Sequence, residues 1–168
     1  MRFLKPMIMT VLVAMSLTPV LAQKAPTQSE KVQGLHGWFG DTADKLKAAY
    51  HSNQEVEVLR GEKYASLLSL DSEGVVFFFD GKGQVTQIHL QQGFAGKVKG
   101  VGVGDSVAQM QAAAGRADKF KKSTNPNPAF PDDYYYALGD GVTAGFSVAY
   151  TPKSVTDIWL TTGKPGAD

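Results

Sequence analysis

Three histidines, His36, His51 and His89, are the residues of this chain best suited to proton transfer or metal ligation, and none has a second histidine at helical or strand spacing. With no cysteine anywhere, a transition-metal site lacks the clustered nitrogen and sulfur donors it requires. Asp132 and Asp133 together could supply part of a calcium shell, although two adjacent acids more often mark a solvated loop. The run Gly100-Val101-Gly102-Val103-Gly104 has the glycine density of a phosphate loop, yet no Gly-Lys-Ser/Thr follows it. Asp105 would also place negative charge where phosphate would sit. No serine lies in an elbow pattern. Glu30, Glu55, Glu57, Glu62 and Glu73 show no spacing of a paired acid and base. The chain therefore reads as noncatalytic, with no metal and no cofactor.

Composition narrows the partners. The 168 residues carry 17 basic and 16 acidic side chains. Arg2 and Lys5 open a segment that reads as a removable export signal: an apolar run from Met7 to Met15, then Val20-Leu21-Ala22 as a small-residue cleavage pattern. Removing residues 1–22 leaves 15 bases against 16 acids, a net charge of −1. That balance argues against nucleic acid. The apolar stretch is too short to span a bilayer comfortably, so no stable membrane insertion is expected once it is removed. The expected location is the periplasm or the extracellular medium, where a fold without disulfides must rely on its core. Residues 23–35 read as a flexible lead-in. A hydrophobic fraction of 43% is that of a globular chain.

The elements that must position any functional residue appear twice. Val85-Thr86-Gln87-Ile88-His89-Leu90-Gln91-Gln92-Gly93 matches Val155-Thr156-Asp157-Ile158-Trp159-Leu160-Thr161-Thr162-Gly163 at five of nine positions. Upstream, Gly40-Asp41-Thr42 with Leu46 and Ala48-Ala49 parallels Gly104-Asp105-Ser106 with Met110 and Ala112-Ala113. The expected fold class is α+β: two tandem repeats, 36–98 and 99–168, each a short helix of about three turns followed by an antiparallel β-meander, with the helices on one face of the sheet. Ser106 and Gln109 have capping-box spacing, and Asp41 is expected to cap the first helix. The meander strands are expected at 64–70, 75–80 and 85–91, then at 134–138, 142–150 and 155–161. Phe94 to Gly104 is expected to cross between the repeats as an extended strand or linker.

Lys99-Gly100-Val101-Gly102-Val103-Gly104-Asp105-Ser106, a helix ending near Gly115, and closing strands from Gly141 to Leu160 resemble the tandem fold of the beta-lactamase inhibitory protein and related bacterial envelope modules. The resemblance covers most of residues 36–163. It implies a noncatalytic protein that grips partners with an open sheet face, and it makes Asp71 the positional analogue of that family's inserted loop aspartate. The family's disulfides have no counterpart here.

Alternation along the strands sets Ile88, Leu90, Ile158 and Leu160 on the helix-covered face. Val85, Gln87, His89, Gln91, Val155, Asp157, Trp159 and Thr161 are then expected on the other. With a two-residue turn at Lys82-Gly83, Phe77 and Phe79 point inward and Phe78 outward; a slip of one residue reverses this. Phe146, Val148 and Tyr150 are expected inward, Gly145 and Ser147 outward, with Tyr134 and Tyr136 beside them. Phe130, in the proline-rich loop 121–131, is a further candidate anchor. The expected partner-binding set is thus Trp159, His89, Tyr134, Tyr136, Phe78, Asp71, Asp157 and Phe130, and the expected role is binding another protein, as an inhibitor or immunity-type protein. An envelope assembly module whose face is buried in a homo-oligomer, and a small-molecule carrier, are the alternatives.

Overall fold

The computed structural model describes residues 32–61, 63–125 and 131–163. The signal, most of the lead-in and Phe130 lie outside the described residues. The fold is α+β, an antiparallel sheet with two helices. The strands are β1 (Val32–Gln33), β2 (Glu57–Val58), β3 (Ser66–Leu70), β4 (Val75–Phe79), β5 (Val85–Leu90), β6 (Lys97–Val98), β7 (Lys119–Lys121), β8 (Asp132–Gly139), β9 (Val142–Val148) and β10 (Val155–Thr162). Helix α1 spans Ala43–Ala49 and helix α2 Val107–Ala114. At seven and eight residues they make about two turns rather than three.

Eight strands form one sheet in the order β2-β3-β4-β5-β10-β9-β8-β7, and β1 pairs with β6 in a separate ribbon. The central join is antiparallel, with Ile158 opposite Leu90, Trp159 opposite His89 and Leu160 opposite Ile88. One sheet face is closed by the core. Leu68, Phe77, Ile88, Leu90, Phe146, Ile158 and Leu160 are fully buried there, together with Leu46 of α1 and Met110 of α2. Val32 and Leu35, expected in a flexible lead-in, belong to this core. Within the expected crossing segment only Lys97–Val98 is a strand.

The helix starts differ. Ser106 and Gln109 make the expected capping box, with Ser106 Oγ accepting from Gln109 N at 3.3 Å and Gln109 Oε1 accepting from Ser106 N at 2.8 Å. Asp41 does not cap α1. Its Oδ2 accepts from Trp38 N at 2.8 Å and its Oδ1 receives Lys45 at 2.5 Å, while the N-cap is Thr42, which makes no side-chain cap bond.

Two bulges correct the expected side-chain parity. The register shifts at Thr86, between the Phe78–Gln87 and Phe79–Val85 pairs, and at Thr156, between the Val148–Val155 and Ser147–Asp157 pairs. Each extra residue turns the preceding valine inward, so Val85 and Val155 are buried rather than open. A third irregularity lies between Ala137 and Gly139 beside the Asp140-Gly141 bend. It places Tyr134 opposite Phe146 and Tyr136 opposite Ala144. Both tyrosines therefore share the covered face, against the expectation that they were open. Tyr136 is only 1% exposed, donates its hydroxyl to Gly115 O at 3.2 Å, and meets Phe146 edge-on.

Candidate functional site

The other sheet face is built from side chains that alternate with the buried ones. Across its middle, Val76, His89, Trp159, Gly145 and Tyr135 stand in register on five successive strands. A neighbouring row runs through Leu67, Phe78, Gln87, Thr161 and Thr143. Phe78 is half-buried while Phe77 and Phe79 are sealed, as expected, but by another route: Asp80 N donates to Gln84 O at 2.9 Å and closes a three-residue turn in place of the expected two-residue one, and the bulge at Thr86 restores the parity.

Aromatic rings on this face touch in a chain. Tyr64 lies 4.9 Å from Phe78, Phe78 lies 6.0 Å from Trp159, and Trp159 stacks on His89 at 3.7 Å with the planes 3° apart. Tyr64 also donates its hydroxyl to Gln87 Oε1. Such contacts hold the rings in place before anything binds, lowering the ordering cost of binding.

His89 and Asp157 support the indole. His89 Nε2 is 2.7 Å from Asp157 Oδ1, and the two side chains are 15% and 33% exposed. The hydrogen bond from His89 holds the Asp157 carboxyl below its ordinary range, against a smaller opposing effect of burial. With one ring nitrogen engaged and one face under the indole, His89 orients Trp159 more than it presents itself.

Beside Trp159 the face sinks into a concavity of about 590 Å³. Tyr64 and Tyr135 line it with Trp159, and Gly145 forms part of its floor. A Cβ at Gly145 would come within 3.1 Å of the Tyr135 ring, so the bare glycine lets that ring lie close over β9. The polar lining includes Gln87, Asp80, Asp133 and Ser147. Asp133 Oδ1 accepts from Ser147 Oγ at 2.8 Å.

Of the expected set, the structure brings together Trp159, His89, Asp157 and Phe78. Asp71 is exposed in a single 3₁₀ turn between β3 and β4, where Ser69 donates to it, and does not line the concavity. Tyr134 is half-buried against Phe120, whose ring lies 4.8 Å away on the outer strand β7. Tyr64 and Tyr135 were missed. For Tyr135 the signal was present: an outward Gly145 calls for a ring from the adjoining strand to cover it, and Tyr135 is the one residue of Tyr134-Tyr135-Tyr136 in phase with it.

Among the described residues no group of three or more His, Cys, Asp or Glu side chains could hold a metal ion. No helix among them is long and apolar enough to cross a membrane. Compared with known proteins, the chain matches no family model, no curated relative and no solved structure.

Proposed function

We propose that this chain is an exported, noncatalytic protein-binding module, a duplicated helix–meander unit that docks another protein on its uncovered sheet face, as an inhibitor or immunity-type protein would. The observation that carries the reading is the chain of half-buried rings Tyr64, Phe78 and Trp159 on the face opposite the core, where Tyr64 and Trp159 line one concavity together with Tyr135. Preorganised aromatic side chains in a partly desolvated depression are the usual anchors of protein interfaces.

Duplication is supported by hydrogen bonds that recur at corresponding residues. Gly40 N donates to Val85 O at 2.9 Å and Val85 N to Asp41 O at 2.9 Å; Gly104 N donates to Val155 O at 2.7 Å and Val155 N to Asp105 O at 2.8 Å. Asp41 and Asp105 each accept from the amide three residues earlier at 2.8 Å. Gly40 and Gly104 both have positive φ, 82° and 94°. Thr86 Oγ1 reaches Phe78 O at 3.5 Å and Thr156 Oγ1 reaches Ser147 O at 3.2 Å, so even the bulges correspond. In that alignment His89 and Trp159 are the same position, facing each other across the central join.

The test is capture of an envelope protein by the mature chain, identification of what is retained, and titration of the purified pair. Trp159→Ala is expected to weaken binding by about 2 kcal/mol, roughly 30-fold, with the fold retained. Undiminished affinity in that variant, or unfolding without any binding to lose, overturns the reading. The assembly-module alternative would bury that same uncovered face in a homo-oligomer. It requires a stable oligomer in sedimentation at low micromolar concentration without any partner.

A further inference from the structure

We infer that the concavity beside Trp159 receives a basic side chain of the docked protein, an arginine in preference to a lysine. The inference rests on the docking reading above and adds the chemistry of the anchor. Two carboxylates, Asp80 and Asp133, line the concavity, and among the described residues Lys63 is the one cation that lines it.

Each carboxylate is held in place. Asp80 Oδ1 accepts from the Lys82 and Gln84 amides at 2.8 and 3.0 Å, and the Gln84 bond leads the effects that lower its pKa, keeping it ionised. Asp133 is tied to Ser147. The rings of Tyr64, Trp159 and Tyr135 line the same concavity. Ring faces attract cations, and here a cation already rests on one of them: Lys63 Nζ lies 5.2 Å from the Tyr64 ring centroid. Lys82 adjoins Asp80 and Lys121 stands opposite Asp133 on β7, but both are exposed and neither lines the concavity.

A guest that satisfies carboxylates and aromatic faces together is a planar cation. Guanidinium stacks on a ring while its edge donates to a carboxylate, whereas a compact ammonium remains strongly hydrated. His89 covers the Trp159 face turned towards β5, so stacking is left to the side that borders Gly145 and Tyr135.

The probe is Nα-acetyl-arginine methylamide titrated into the mature chain, with the Trp159 indole N–H and the Tyr64 and Tyr135 ring signals followed by NMR. Its uncharged citrulline counterpart serves as the control. Millimolar arginine is expected to move all three sets of signals, citrulline to bind at least about tenfold more weakly, and Asp133→Asn to weaken arginine binding about fivefold. Lys63→Ala is expected to strengthen it, because a competing cation is removed. Equal shifts from arginine and citrulline, or none from either, overturn the inference. If neither probe binds while capture of the protein partner still depends on Trp159, the basic anchor falls and the docking face stands. Arginine binding without Trp159-dependent capture overturns the docking face instead.

Discussion

The two ends of the sheet share a backbone pattern and differ in what they place on the uncovered face. In β3, β4 and β5 that face carries Leu67, Val76, Phe78 and Gln87; at the corresponding places in β8, β9 and β10 it carries Asp133, Gly145, Ser147 and Asp157. On the covered face the same correspondence sets Leu68 and Phe77 against Tyr134 and Phe146, apolar or aromatic at both ends. Burial restricts one face to side chains that fill volume, and the other, relieved of that demand, has become apolar at one end and acidic at the other. An asymmetric surface of this kind can orient a partner as well as hold it.

The sharpest way to break the comparison is to empty the core at matched places. Phe77→Ala and Phe146→Ala, both fully buried, are each expected to cost about 3–5 kcal/mol in denaturant unfolding. A cost near zero at one end would show that its half of the core is not what holds the sheet.

The helix starts sharpen it at a smaller scale. Ser106→Ala removes a made capping box and is expected to cost about 1 kcal/mol. Thr42→Ala, at a cap without a side-chain bond, is expected to cost only a few tenths. Equal losses would mean that both caps act through the chain's bend rather than the hydroxyl.

The smallest effect is on pH dependence. Asp157 is ionisable where Gln87 is not, and its carboxyl is shifted downward chiefly by His89. A depressed native pKa adds stability that is complete above the unfolded carboxylate value and lost as the pH falls through the native one. The wild type should therefore lose stability more steeply than Asp157→Asn below about pH 4, as thermal unfolding across an acid series would show. Parallel acid limbs would remove Asp157 from the account.

Much of this was legible in the residues themselves. Ser106 with Gln109 marks a helix start because spacing and hydrogen-bonding capacity are local properties. Ile88 and Leu90, and Ile158 and Leu160, point inward because strand alternation needs no knowledge of the neighbours. Phe78 stands on the expected face, but through a three-residue turn closed by Asp80 and Gln84 and the compensating bulge at Thr86 rather than through the expected two-residue turn. Tyr134 and Tyr136 went to the opposite face because an irregularity beside Leu138 shifts the phase of β8, and nothing in the order of residues announces it.

The sequence by itself determined the six meander strands, the α2 cap, the apolar stripe that must be buried and the presence of rings on the opposite side, since each follows from the type and spacing of neighbouring residues, whereas the short strands β1, β2 and β7 did not show in it. Only the tertiary structure decided that β5 joins β10, that Trp159 stacks on His89, and that Tyr135, with Tyr64, lines the concavity. Those outcomes depend on register between distant segments, where a single bulged residue reverses the face of every side chain beyond it.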